Sequence, residues 1–270
     1  MNVKFDFSGN IALVTGAATG IGKATAIEFA KAGADVIIAD FNAEAGKKTS
    51  EEVAALGVKS AFYQIDVSDE KAVKAMAAQV LKEWGRIDFL ISNAGKGPKH
   101  YGLPMTNIPP DDIRDQYNVN VVGYVNMVQA FYDFFKEQKH GKIVCTSSLA
   151  ALRNSGIHPH YGASKVAILR FMHIVAQELG PYNINVNAIM PGFVYTPIYH
   201  EATDFKALMP GRFDDCETSE EVVEKMAKNS AMRRTQTAED MAYGIMFLCS
   251  DAAREISGVE LPIDSGACAM

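Results

Sequence analysis

Seven short runs rich in β-branched and apolar residues recur along this chain, alternating with longer stretches of helical character, and no other feature restricts the possible folds so far. The runs lie at 11–14, 36–39, 61–65, 89–92, 142–146, 184–189 and 259–263. Between the first four, segments 22–32, 43–56 and 70–84 carry apolar residues at helical spacing with polar outer faces. Helices at about 111–122, 124–137, 161–178 and 237–249 continue the pattern. Strands joined by helical crossovers build a parallel sheet covered on both faces. The expectation is therefore an α/β chain, a doubly wound parallel sheet of about seven strands with helices on both faces. A single domain spanning residues 1–270 accommodates it.

In such a sheet the turn from the first strand into the first helix is a natural phosphate site. Here it reads Thr15-Gly16-Ala17-Ala18-Thr19-Gly20-Ile21-Gly22. Glycines let backbone N–H groups approach a pyrophosphate at a helix N-terminus. Gly16, Thr19, Gly20, Ile21 and Gly22 are the expected contacts, and with them the sheet reads as a Rossmann fold. Asp40 ends the second strand run about twenty residues beyond the loop, followed by Phe41. Its carboxylate can accept hydrogen bonds from ribose hydroxyls and would repel a 2′-phosphate. No cation stands at Ala18, Thr19 or Phe41 to offset that repulsion, so NAD is expected in preference to NADP.

Charge and composition narrow the remaining classes. A net charge of -6 gives no general attraction for nucleic acid or an anionic membrane surface. The first ten residues hold no apolar run, so neither a secretory signal nor a membrane span is expected, and the location is read as cytoplasmic. Cys145, Cys216, Cys249 and Cys268 are far apart, and the histidines lack metal-ligand spacing, so no metal site is expected.

Tyr161-Gly162-Ala163-Ser164-Lys165 places a phenol and an ammonium one helical turn apart on one face. A phenol titrates near ~10, and a cation beside it is expected to favour the phenolate and draw that value toward the working pH. The pair suits proton exchange with a carbinol or ketone oxygen.

Taken with the glycine loop and Asp40, the chain resembles the short-chain dehydrogenase/reductase family over nearly its whole length. Asn93-Ala94-Gly95 ends the fourth strand run as in that family, and Asp66-Val67 matches the pair that contacts adenine. Asn120 matches a helix asparagine whose backbone holds a water in a proton relay, with Asn118 read as an ordinary polar helix residue. Ser148 lies thirteen residues before Tyr161, the separation the family uses for its catalytic serine, and Ser147 is read as structural. Pro191-Gly192-Phe193-Val194-Tyr195-Thr196-Pro197 resembles the loop that receives the nicotinamide carboxamide, so Pro191, Gly192, Val194 and Thr196 join the expected nucleotide contacts. The resemblance implies catalytic Asn120, Ser148, Tyr161 and Lys165, with Tyr161 and Lys165 also touching the nucleotide. It implies NAD-dependent, metal-free interconversion of a secondary alcohol and a ketone in a homodimer or homotetramer.

Segment 196–234 breaks the strand and helix rhythm and reads as a lid over the site. Leu149, Arg153, His158, Phe193 and Tyr199 are the substrate candidates beside Ser148 and Tyr161. Phe193, Tyr195, Ile198, Tyr199, Phe205, Leu208 and Met209 could enclose a hydroxysteroid or bile-acid-like alcohol, with Arg153 or His158 meeting an anionic tail. Sugar alcohols, cyclic alcohols and small diols are the alternative substrates, and a nucleotide-binding sensor without turnover is the alternative function.

Overall fold

The computed structural model describes residues 4–153, 158–194, 196, 211 and 213–269. In chain order the elements begin β1 (Ile11–Thr15), α1 (Gly20–Lys31), β2 (Asp35–Asp40), α2 (Ala43–Ala54), β3 (Ser60–Gln64), α3 (Glu70–Trp84) and β4 (Phe89–Ser92). They continue with α4 (Pro110–Tyr117), α5 (Gly123–Gln138), β5 (Gly141–Thr146), α6 (Pro159–Leu179) and β6 (Ile184–Pro191). After these come α7 (Ser219–Ala227), α8 (Ala238–Cys249) and β7 (Glu260–Ile263). All seven strands pair in parallel, in the order β3-β2-β1-β4-β5-β6-β7.

Strand alternation divides the core in two. Leu13, Ile37, Leu90 and Ile143 point to the side covered by α3, α5 and α6, where Val80, Phe131 and Met172 meet them. Val14, Ile38, Ile91 and Val144 point the other way, onto Phe29 of α1 and Met241 and Ile245 of α8. Successive strand residues face opposite sides, so one sheet serves two cores. Local chemistry sets the helix starts. The Asp69 carboxylate accepts from the Lys71 and Ala72 N–H groups ahead of α3, and Thr218 with Glu221 and Thr237 with Asp240 form reciprocal caps on α7 and α8.

Three details depart from the sequence reading. The first helix begins at Gly20, two residues earlier than expected. The helices expected at 111–122 and 124–137 are joined through a wider, π-helical turn over Asn118–Val122, where the Gly123 N–H reaches the Asn118 carbonyl. The segment read as a lid contains α7, which packs Val222 and Met226 against Phe213 and Cys216. Residues 197–210 of that segment, including Ile198, Tyr199, Phe205, Leu208 and Met209, lie outside the described residues, as does Tyr195.

The strand order reverses direction between β1 and β4, which opens a crevice at the carboxyl ends of the strands. A cleft of about 1400 Å³ occupies that position.

Candidate active site

Hydrogen bonds between strands that are distant in sequence shape the floor of the cleft. The Thr15 hydroxyl, at the end of β1, accepts from the N–H groups of Asn93 and Ala94, both at 3.0 Å. The Asn93 amide returns the contact to the Thr15 carbonyl at 3.1 Å, and its oxygen accepts from the Thr146 hydroxyl at 3.1 Å. This network fixes the glycine loop. Gly16 takes φ +63°, and a Cβ there would stand 2.8 Å from the Ala94 Cα. A Cβ on Gly22 would stand 2.1 Å from the Gly16 carbonyl oxygen. Gly22 therefore does not line the cleft: it lets α1 approach the loop, while Gly16, Thr19, Gly20 and Ile21 face the opening.

Those features fit the pyrophosphate of a dinucleotide. Thr19 caps α1 without a side-chain hydrogen bond and no carboxylate lies in the first turn, which leaves that helix end able to receive an anion. At the adenosine side, one Asp40 oxygen accepts from the Ala18 N–H at 2.8 Å and the other from the Asn42 N–H at 2.8 Å. Asp40 thus also braces the glycine loop, a task the sequence did not reveal. A carboxylate oxygen retains a second acceptor position for a ribose hydroxyl. Phe41, Asp66, Val67, Asn93, Ala94 and Gly95 line the same wall. Pro191, Gly192, Val194 and Thr196 line the opposite one, their loop held by the Gln236 N–H donating to the Phe193 carbonyl at 3.1 Å.

Helix α6 brings the phenol and ammonium together beside this wall. Lys165 is buried and donates to the Thr146 carbonyl at 2.9 Å, with its Nζ 5.7 Å from the Tyr161 ring centroid. Tyr161 shares a hydrogen bond with the Ser148 hydroxyl. Contrary to the sequence reading, Tyr161 does not titrate lower. Burial pushes its pKa up, with the Ser148 bond opposing that shift, and burial pulls Lys165 down to about 8. Burial is the cause, and the ammonium expected to oppose it donates to the Thr146 carbonyl and lies over the phenol ring.

Asn120 sits behind these groups, buried in the π-helical turn. Its side-chain oxygen accepts from the Lys96 N–H at 2.8 Å and its amide donates to the Ser164 hydroxyl at 3.1 Å. Ser164 in turn donates to the Tyr161 carbonyl at 2.7 Å, linking α6 to the loop after β4. Asn118 is exposed at the cleft mouth, and Ser147 is buried and donates to the Lys165 carbonyl at 3.0 Å. Leu149, Arg153, His158 and Phe193 border the cleft near Tyr161, whereas Tyr199 lies outside the described residues.

A profile of the family described as "Enoyl-(Acyl carrier protein) reductase" matches residues 16–268. Cyclohexanol dehydrogenase of Rhodococcus sp. (strain TK6) is 33% identical over 277 aligned positions, covering 96% of each chain. The chain belongs to the short-chain dehydrogenase/reductase family. The 7alpha-hydroxysteroid dehydrogenase of Escherichia coli (strain K12) is 32% identical over 98% of this chain and 96% of that protein. Among solved structures, NAD+-bound xylitol dehydrogenase superposes with a TM-score of 0.89 at 32% identity, covering 96% of this chain and 99% of that one. Family members bind nicotinamide nucleotides, and the glycine loop is shaped for that group. Among the described residues, no helix is long and apolar enough to cross a membrane.

Four site residues escaped sequence reading. Thr15 and Thr146 look like ordinary strand ends, and Gln236 lies in a loop. Tyr101, buried at the cleft mouth, falls in a segment without periodicity. A hydroxyl at the last position of β1, ahead of a glycine, was the one available signal.

Proposed function

We propose that this chain transfers hydride between a nicotinamide nucleotide and a secondary alcohol on a carbon ring, with NAD preferred over NADP. The observation that supports it is the hydrogen-bonded Ser148 and Tyr161 pair, with buried Lys165 one turn along the helix, in the same cleft as the glycine loop. The bound nucleotide supplies the hydride acceptor or donor at its nicotinamide ring.

Ser148 donates a hydrogen bond to the substrate oxygen, stabilising charge as it develops there. Tyr161 removes the hydroxyl proton during oxidation and returns it during reduction. Lys165 holds the nicotinamide ribose and provides positive charge beside the phenol. Asn120 organises the path by which the proton leaves, through the Lys96 loop and Ser164. On the nucleotide side, Asp40 receives the adenosine ribose hydroxyls.

The ring-alcohol class draws support from two relatives named for cyclohexanol and a hydroxysteroid, and from the Leu149 and Phe193 surfaces at the cleft mouth. A hydroxysteroid is the bulky end of that class. A panel of cyclohexanols, hydroxysteroids and acyclic polyols, followed by NADH absorbance, tests the reading. Turnover of ring alcohols above the polyols supports it; NAD binding with no turnover of any alcohol would favour the sensor function. The protein is further proposed to work in the cytoplasm as a homodimer or homotetramer. Exposed Val166, Phe171 and Ile174 on α6 and Tyr243 and Phe247 on α8 offer apolar faces for assembly. Light scattering returning a monomer would remove that part.

A further inference from the structure

Lys96 and Lys99 border the cleft on the loop after β4, and Asp115 borders it from α4. Both ammonium groups donate to one oxygen of that carboxylate, Lys96 at 2.5 Å and Lys99 at 3.0 Å. The hydrogen bond from Lys96, chiefly, holds the Asp115 pKa below the usual carboxylate range, so the carboxylate is ionised. Two cations on one anion leave an excess positive charge on this part of the wall. Asp111 and Asp112 also act on Lys99, but each has a partner of its own, Arg114 and His100, and neither lines the cleft. The other carboxylates that do line it, Asp40 and Asp66, stand at the adenosine end, while Arg153 adds a further cation to the lining. In a chain of net charge -6, the cleft wall thus runs against the general balance. The sequence pointed to Arg153 or His158 for an anionic tail. Burial lowers the His158 pKa and leaves that ring uncharged near neutral pH, so the charge lies elsewhere.

The loop that carries the two lysines is held firmly beside the catalytic groups. A Cβ on Gly95 would stand 3.1 Å from the Lys165 Nζ. The Lys96 N–H donates to the Asn120 side-chain oxygen at 2.8 Å, and its carbonyl accepts from the Asn120 and Gln116 amides. Lys96 therefore starts from a fixed backbone next to Lys165, and its side chain remains partly exposed, as does that of Lys99. Each ammonium has three donors, and Asp115 takes one from each. We infer that Lys96 and Lys99 form a specificity site for a carboxylate carried by the substrate away from its carbinol carbon, with Asp115 as the internal anion that holds the pair until substrate enters. The inference rests on the proposed alcohol and ketone reaction and narrows its substrate to hydroxy acids on a ring.

Steady-state oxidation of hydroxycyclohexanecarboxylates and of their methyl esters, with NAD and the full chain, reads the charge alone. The wild type should favour the acids in kcat/KM, by a margin that shrinks with added salt. Lys99→Gln should lower the acid-to-ester ratio about threefold and the Lys96→Gln, Lys99→Gln double variant about tenfold, mainly through KM. Lys99→Arg, which keeps the charge, should restore most of the loss. Asp115→Asn should raise the ratio about threefold, because it releases both ammonium groups from their internal partner. A lower ratio in that variant overturns the inference, as does a wild type indifferent to the charge. A double variant that binds NAD more weakly but keeps its acid-to-ester ratio would assign the lysines to the nucleotide phosphates and overturn it too. Calorimetric titration of cyclohexanecarboxylate into the NAD complex separates the site from the reaction. Where no alcohol turns over, binding that weakens in the double variant supports the anion site and strikes only the reaction, and absent binding overturns both.

Discussion

At the glycine-loop end of the cleft, β1, β4 and β5 share one hydrogen-bond network through Thr15, Asn93 and Thr146, whereas the His158 end is walled by loops. The first end tolerates no added carbon at Gly16 or Gly22. At the second end, Leu149 and His158 belong to connecting segments, so their side chains can be exchanged without disturbing a strand. The contrast shows how one scaffold can keep its nucleotide and vary its alcohol. The nucleotide end is specified by the sheet itself, and the alcohol end by segments that hang from it.

The largest expected effect falls where the two ends meet. Tyr161→Phe should reduce kcat by at least about a hundredfold, the lower range of general acid/base catalysis, with NAD affinity nearly unchanged. Single-turnover kinetics beside NAD titration reads both, and near-normal turnover would remove Tyr161 from the chemistry. Next comes Asp40→Ala, which acts only at the nucleotide end. Affinity for NAD should fall about tenfold, as expected for the loss of a charge-assisted hydrogen bond. The NADP loss should be smaller, because only the braces on the Ala18 and Asn42 N–H groups are common to both. Equal losses for the two nucleotides would mean that Asp40 is a brace alone.

The smallest effect is a pH dependence. Burial disfavours the charged form of Lys165, so its proton leaves near pH 8, below the ordinary lysine range, while the raised pKa of Tyr161 keeps the phenol protonated there. Raising the pH through about 8 should therefore lower NADH-dependent ketone reduction several-fold by removing the ammonium first. A rate that stays level well beyond that point would show that the charge on Lys165 is dispensable for the acid step.

How far the sequence could be read follows the same division. Strand runs, the glycine loop and the Tyr161 to Lys165 spacing are local patterns, and all are where the sequence put them. Thr15 was opaque because its partners Asn93 and Ala94 become neighbours only when β4 pairs beside β1. Gln236 was opaque for a similar reason, since its contact with Phe193 depends on a loop returning to the end of β6. The direction of the Tyr161 shift was misread because spacing along a helix gives proximity to the ammonium but not the burial that disfavours the phenolate. Leu149, Arg153, His158 and Phe193 were legible as candidates by their nearness to Tyr161 and to the end of β6, but the packing of His158 against Tyr101 required knowledge of what surrounds it.

The π-helical turn at Asn118–Val122 bears on which sequence changes this chain can survive. Each residue in a regular helix advances the rotation by about 100°. A π-helical turn holds one residue more than a regular one, so removing one residue lets it close as an ordinary helical turn. Gly123 would still face Val67, and the Asn126 amide the Val67 carbonyl that it reaches at 2.9 Å. What a deletion would remove is the widened turn that carries Asn120, so it should spare the sheet and strike the Asn120 contacts to Lys96 and Ser164.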